Sequence, residues 1–418
     1  MKSAQWTGRV LPPKTDSSIL SLSVIVAALG YFVDAYDLIL FSVVRVSSLR
    51  SIGLSGQALI DQGTLLLNAQ MFGLLLGGVA WGILGDKRGR LSILFGSIVL
   101  YSLANIANAF ANSFTEFLIW RFIAGFGLAG ELGAGITLVA ERLPARRRGL
   151  GIMLVASCGA LGSVAADLVA QQLQWRSAYL VGGAMGVALL VLRLGSLESG
   201  LFQDLKSGRP AVSRGNFLSL FTRRERIVRY VSCILVGLPL WYVIGLLITF
   251  SPEFALSLGI RGEISAGHAV VFSHLGFAAG DILSGFISQI LGNRKKVIFG
   301  FLASLGATLA LYFNIHGVDQ TIFYGVCFLL GLTGGYWAVL LMVSAEQFGT
   351  NLRATVVTTV PNLIRASLIL VTLLFQLCKS AFGMVGSAAF TGFLACLVAA
   401  MALRRLNETS HRSLDFLE

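Results

Sequence analysis

Gly82-Ile-Leu-Gly85-Asp86-Lys87-Arg88-Gly89-Arg90 is the stretch on which the fold turns. A matching segment, Gly285-Phe-Ile-Ser-Gln289-Ile-Leu-Gly292-Asn293, follows 203 residues later. Upstream, Phe72-Gly73 with Gly77 recurs as Leu275-Gly276 with Gly280 at the same interval. Gly127-Leu-Ala-Gly130 recurs as Gly331-Leu-Thr-Gly334, and the bracketing residues Glu141 and Arg148 recur as Glu346 and Arg353. An echo at half the chain length indicates two matching half-proteins. In membrane proteins such halves face each other across a substrate path.

Composition places this echo in a membrane. The 418-residue chain is 56% hydrophobic and 12% charged, with a mean hydropathy of +0.80. A soluble domain carries about 25% charged residues. Apolar stretches begin near residues 18, 61, 91, 115, 148, 175, 229, 265, 296, 319, 353 and 382. Each has the roughly 20 residues needed to cross a hydrocarbon core of about 30 Å. Lipid-exposed backbone must satisfy its own hydrogen bonds, so these stretches are expected to be helices. A barrel would show short alternating strands. The expected fold is an all-α membrane protein of twelve transmembrane helices in two pseudo-symmetric six-helix bundles. The bundles are expected at 1–195 and 229–418, joined by a basic cytoplasmic linker at 196–228.

The net charge of +12 is a topology signal and does not point to nucleic acid. With both termini in the cytoplasm, most of the 32 basic residues, Arg193 among them, fall in inside segments. Arg50, Arg176, Arg261 and Lys379 fall outside. That asymmetry follows the positive-inside rule, with some attraction to anionic lipid heads. A bacterial inner (plasma) membrane is the expected location. Five cysteines lie within the spans without CxxC spacing, which argues against structural disulfides and zinc. The polar first 17 residues show no cleavable signal pattern. Neither a catalytic domain, a nucleophile–base set nor a metal cluster is apparent, so no enzyme activity and no cofactor is expected.

The glycines of 82–90 permit a tight turn and close helix approach. Asp86 can cap a helix or pair with a base, and the arginines anchor the loop at the cytoplasmic face. This loop resembles the major facilitator superfamily, whose signature here is G-xxx-D-xx-G-R. The resemblance implies the major facilitator fold, with the loop as a latch between the halves. The cytoplasmic gate would then comprise Gly82, Asp86, Arg88, Gly89, Arg90, Glu141, Arg148, Glu346 and Arg353. In the second copy Gln289 replaces the acid and Asn293 the arginine, so the latch is expected to lean on the first. Arg121-Phe-Ile-Ala-Gly125-Phe-Gly127 resembles the fourth-helix signature R-xxx-G-x-G. Gly130-Glu131, Glu141 and Arg148-Gly149 resemble the metabolite:proton symporter branch. Span five, Gly151 to Ser163, lacks the Gly-Pro of proton-driven drug exporters in this superfamily.

Charges inside the spans carry the functional expectations. Asp34 and Asp37, in Tyr31-Phe-Val-Asp34-Ala-Tyr36-Asp37, lie on neighbouring positions of one helix side. Asp34 falls roughly 20 Å into the membrane at 1.5 Å per residue. An intramembrane carboxylate costs about 3 kcal/mol on insertion scales and is a functional hypothesis by default. The pattern also resembles the first-helix acidic pair of aromatic-acid:proton symporters. Either these aspartates carry protons, or one pairs structurally with Arg45, Arg121 or another helix. Glu131, mid-span four, either couples proton to substrate or pairs with a buried arginine. Arg365, about 18 Å into span eleven, either holds a substrate carboxylate or is the permanent partner of a first-span aspartate or Glu131. Arg121 resembles the family's proton-linked arginine but sits nearer the outer face, where pairing is the simpler role.

Asp281 replaces a glycine of the first half and could gate or touch substrate. His268 and His274 read as packing residues, and Asp167 as solvated at the outer end of span five. Tyr36, Trp241, Tyr242, Tyr336, Trp337 and Asn362 are candidates to line a central cavity. Pro239 and Pro361 are candidates to break spans seven and eleven.

The expected function is proton-coupled uptake of a small polar metabolite, an organic anion or zwitterion, by alternating access. Asp34, Asp37, Glu131 and Arg121 would handle the proton, and Arg365 the anion. The expected partners are this small molecule, protons and the bilayer, around a monomer. An exporter of a siderophore or drug, and a non-transporting receptor or sensor, are the competing readings.

Overall fold

The computed structural model describes residues 22–88, 90–133, 145–198 and 217–410, together with Gly135, Val139 and Leu143. The first half contains α1 (Leu22–Ser51), α2 (Gln57–Arg88), α3 (Arg90–Ala109), α4 (Phe114–Leu128), α5 (Ala145–Gln172) and α6 (Trp175–Glu198). A short 3₁₀ turn, Phe217–Phe221, precedes the second half. There α7 (Arg224–Tyr242) runs into a π-helical segment, Val243–Ile248, and the short α8 (Ser251–Ser257). α9 (Ala266–Leu291), α10 (Arg294–Asn314), α11 (Gln320–Gly334), α12 (Trp337–Glu346), α13 (Thr350–Ala366) and α14 (Leu368–Arg405) follow.

Nine of the described helical stretches are long and apolar enough to cross a membrane by themselves. Splitting the 51-residue stretch Thr355–Arg405 at its kink gives ten, and the shorter described stretches of α3 and α4 complete the twelve expected spans. α11 and α12 form one span interrupted at Gly335-Tyr336. α13 and the start of α14 form span eleven. Gly383, at φ 66° and ψ −174°, kinks α14 where span eleven gives way to span twelve. A side chain there would be strained, so the kink requires glycine. Span seven starts at Arg224, ahead of the expected 229, because the helix extends into the basic stretch.

The echo in sequence is an echo in packing. α2 packs on α4 as α9 packs on α11, and α3 on α6 as α10 on α14. Gly73 lies against the Phe122 carbonyl, and Gly276 against the Phe328 carbonyl. Gly125 lies against the Gln70 carbonyl, and Gly331 against the Ser273 carbonyl. Any side chain at these four positions would strike backbone. That explains why these glycines recur: without them the helices could not approach so closely.

The degenerate second loop also has a structural reason. Gly292 ends α9 at φ 55°, in the left-handed region, and Asn293 caps α10 by accepting from Lys296 N at 2.9 Å. This is the glycine stop followed by an asparagine cap. The halves meet chiefly where α5 packs on α9 and α2 on α13.

Candidate functional site

Tyr31, Asp34 and Asp37 follow one another at intervals of three on α1, so each points about 60° around the helix from the last. That drift sends the two buried carboxylates to different neighbours. Asp34 faces the second half, where its Oδ2 accepts from Arg365 Nη2 at 3.0 Å. Asp37 faces into the first half, and its electrostatic neighbours are Arg121, Asp34 and Asn105. The Asn105 side chain is within hydrogen-bonding reach of Asp37, whose oxygens have no closer-aligned donor among the described residues.

Arg365 occupies the last turn of α13, where the helix dipole favours a cation. Pro361 stands one turn earlier, and α13 stops at Ala366 before α14 resumes. The guanidinium lies 5.9 Å from the centre of the Trp241 ring. Trp241 follows Pro239 at the end of α7, where the ladder loosens into the π segment. Neither proline breaks its helix where expected: α7 runs through Pro239 and α13 through Pro361, and the ladder changes only afterwards, at the π segment from Val243 and at Ser367. Tyr31 lies within electrostatic reach of Arg365, Asp34 and Asp281. Asp34 Oδ1 and Trp337 Nε1 are buried with no hydrogen-bond partner among the described residues, and Arg365 Nε and Nη1 have no well-aligned acceptor there, with the Tyr31 hydroxyl alone within hydrogen-bonding reach of the guanidinium. Unfilled donors on a buried guanidinium suit an incoming carboxylate, because an unpaired buried polar group is costly and a charge-assisted bond relieves it.

Glu131 takes a different partner. Its Oε2 accepts from Arg193 Nη1 at 3.0 Å, and its Oε1 from Arg193 Nη2. Gly30 of α1 packs directly on this pair. Of the two partners open to Arg365, the structure selects Asp34. Arg193, assigned by charge to the cytoplasmic side, is instead buried at 3% exposure, because Glu131 draws it into the bundle. Arg121 donates to Asn105 Oδ1 at 2.5 Å and lies 4.6 Å from the centre of the Tyr179 ring.

The remaining candidates spread over the interface. Asn362 Nδ2 donates to the Ala129 carbonyl at 2.8 Å, tying α13 to the end of α4. Asp281 Oδ1 accepts from Ala338 N at 3.0 Å, which places the carboxylate at the start of α12 as a helix cap. Three tyrosine hydroxyls brace neighbouring helices: Tyr36 donates to Ala178 O at 2.9 Å, Tyr242 to Ala388 O at 2.6 Å and Tyr336 to Val236 O at 2.9 Å. His274 hydrogen-bonds the Val270 carbonyl at 2.9 Å within its own helix.

At the end of the bundles where the charge pattern predicts the cytoplasmic loops, Gly82 faces Thr359 of α13. Gly89 and Glu141 lie outside the described residues, as do the side chains of Asp86, Arg88, Arg90 and Arg148. In the second copy Glu346 pairs with Arg294. Arg353 Nε donates to the Ala345 carbonyl at 3.0 Å, across the turn from α12 to α13.

The opposite end of the bundles holds contacts that hydropathy and spacing do not reveal. Arg45, near the end of α1, donates to Glu253 Oε1 at 2.6 Å and stacks on Phe250. Thr249 Oγ1 donates to Ser42 Oγ at 2.9 Å, and Thr372 Oγ1 to Asn68 Oδ1 at 3.0 Å. Asp167 is not solvated as expected; it is 2% exposed. The start of α9 covers it at Gly267, and Gln171 donates to it at 2.5 Å. A lone arginine near a span end and a glutamate just past the next half's first span were the available signals, but pairing them needs the fold.

A model described as the Major Facilitator Superfamily matches residues 20–366. The chain is 26% identical over 363 residues to the niacin transporter of Acinetobacter baylyi, covering 79% of this chain and 80% of that protein. It is 25% identical over 354 residues to the 3-(3-hydroxy-phenyl)propionate transporter of Escherichia coli, covering 83% and 84%. Among solved structures it resembles a D-xylose–proton symporter, with a TM-score of 0.67, 17% identity and coverage of 94% of this chain and 99% of that one.

Proposed function

The chain belongs to the Major Facilitator Superfamily, a family of transporters rather than enzymes, and from that premise we propose that it takes up a small organic acid together with a proton. It is an integral membrane secondary transporter. The observation that carries the finer reading is the Arg365 guanidinium. It is buried between the halves, held on Asp34 through Nη2, and its Nε and Nη1 have no well-aligned acceptor, with Tyr31 alone within reach. A substrate carboxylate that docks there competes with Asp34 for the cation. Protonating the carboxylates of α1 weakens the hold on Arg365 and makes room for the anion. Binding of proton and anion thus favour each other, as symport requires.

Asp37 carries the proton in this reading, Asp34 answers to it, and Trp241 and Trp337 supply aromatic walls. Two of the relatives are named for niacin and for a hydroxyphenyl propionate, so aromatic monocarboxylates lead the substrate list. The bundles at 1–195 and 229–418 rock about the linker. The chain acts as a monomer in a bacterial plasma membrane, with both termini in the cytoplasm and the charged loops closing that side.

The test is uptake into proteoliposomes of known orientation under an imposed pH gradient, with nicotinate and hydroxylated phenyl carboxylates as first probes. Asp37→Asn is expected to abolish gradient-driven accumulation and leave counterflow exchange. Accumulation that persists in this variant would sink the carrier assignment. Efflux without influx would overturn the direction.

A further inference from the structure

A second polar system lies inside the first half, apart from the cluster around Arg365. Ser102, Asn105 and Asn108 recur at intervals of three along α3, and all are buried to within 1% exposure. The stripe begins at the level of Tyr101 and ends one residue short of the outer end of α3. Its neighbours come from three other helices. Arg121 of α4 donates to Asn105. Ser102 packs on Gly186 of α6, and Asp37 of α1 packs on Gly182 of the same helix. Tyr179, one turn before Gly182, stacks against Arg121.

These groups have more hydrogen-bonding capacity than the protein uses. Among the described residues there is no partner for Ser102 Oγ, either side-chain atom of Asn108, the Tyr101 and Tyr179 hydroxyls, or Arg121 Nε and Nη1, and Asp37 has the Asn105 side chain alone within hydrogen-bonding reach. Each such buried group costs roughly 1–3 kcal/mol if it stays unpaired. A single orphan can be tolerated. A group of buried donors and acceptors drawn from four helices is instead the setting that holds ordered water, which needs two to four polar partners per molecule.

We propose that a file of water threads the first bundle from Asn108, at the outer end of α3, to Asp37, and delivers the proton to that carboxylate without entering the space between the halves. This rests on Asp37 being the proton carrier. An excess proton enters as hydronium at the outer end and passes along the hydrogen-bonded file. The last water gives one proton to a carboxylate oxygen of Asp37, leaving a neutral carboxyl and a neutral water; no electrons are exchanged. The charged and titratable groups around Asp37 are Asp34 and Tyr36 on its own helix, Tyr101 on α3, Arg121 on α4 and Tyr179 on α6. Arg121 is the cation among them. Its charge opposes a hydronium in the file unless Asp37 is ionised to offset it. The file therefore loads Asp37 when it is empty and resists leakage when it is full. Proton and substrate reach their sites by separate routes, so the outer seam between the halves need not open for the proton.

The experiment compares Asn108→Leu, which plugs the file with an apolar side chain of similar size, with Asp37→Asn in proteoliposomes. Asn108→Leu is expected to slow uptake driven by a pH gradient at least tenfold and to leave counterflow within twofold. If gradient-driven uptake keeps its wild-type rate in Asn108→Leu and is lost in Asp37→Asn, the file is wrong and the carrier stands. If Asp37→Asn keeps gradient-driven uptake, both fall. Radiolytic hydroxyl-radical footprinting of the unmodified protein is a second measurement, independent of whether the variant folds. Buried Tyr101 and Tyr179 should be oxidised by radicals formed from adjacent ordered water. Their complete protection would overturn the proposal.

Discussion

Asp34 and Arg365, 331 residues apart in the chain, meet at 3.0 Å with both side chains at no more than 1% exposure. The pair joins α1 to α13 and so ties the two halves together. Breaking a buried pair by removing one partner costs about 3–5 kcal/mol, because the other charge is stranded. Asp34→Ala should therefore lower the unfolding midpoint in detergent more than the double variant Asp34→Ala with Arg365→Ala. Both should lose transport. Equal midpoints for the single and double variants would show that the charges are not coupled.

The outer seam depends on Arg45 and Glu253, 2.6 Å apart. A hydrogen bond between charged groups contributes about 1.5–3 kcal/mol, or roughly ten- to hundredfold in an equilibrium. Glu253→Gln should shift the population towards the outward-open form by at least the lower figure. A cysteine introduced as Ser42→Cys beneath the seam would report it. Its labelling by a membrane-impermeant maleimide should accelerate about tenfold in the Glu253→Gln background, and an unchanged rate would count against the gate.

Asp281 holds the start of α12 through Ala338 N. Losing a helix cap costs about 1 kcal/mol. Asp281→Ala should thus be measurably less stable by thermal melting, while Asp281→Asn, which can still cap, should transport near the wild-type rate. Loss of transport in the stable asparagine variant would instead make Asp281 a substrate or proton contact.

Glu408 gives a pH dependence outside the membrane. Its carboxylate accepts from the backbone N–H groups of Arg294, Lys295, Thr409 and Ser410 at 2.9 to 3.1 Å. Partial burial pushes the carboxyl up, but these four donors outweigh it and hold it below the ordinary 4.5. A lowered folded value means that the contact stabilises above the ordinary value and is lost as pH falls through the lowered one. Proteolytic release of the C-terminal tail should be flat from pH 8 to 6 and rise below about 4.5. In Glu408→Gln it should be raised throughout and lose that step.

The glycines and loop signatures made the fold legible, because close backbone approach admits almost nothing else at Gly73, Gly125, Gly276 and Gly331. Asp34, Asp37, Glu131 and Arg365 stood out for a similar reason: a charge in lipid announces itself. Their pairing did not. Whether Arg365 answers to Asp34 or Glu131 depends on which helices of the two halves face each other, and neither hydropathy nor spacing contains that. Arg193 and Asp167 were misplaced by rules that treat charges near span ends as solvated. One is drawn inward by Glu131, and the other is covered by α9. Asn105 and Asn108 escape a search for charges within spans because an amide is neutral.

The four recurring glycine approaches at Gly73, Gly125, Gly276 and Gly331 lie within the halves, whereas the matched polar pairs Asp34–Arg365, Arg45–Glu253, Ser42–Thr249 and Asn68–Thr372 lie between them. The molecule is in this sense two castings bolted along a seam, with interchangeable parts. A chimera that grafts the second half of a relative onto the first half of this chain need not preserve the inner packing of either. It needs only the bolts to be re-cut to match: an arginine opposite Asp34, a glutamate opposite Arg45 and a hydroxyl opposite each of Ser42 and Asn68.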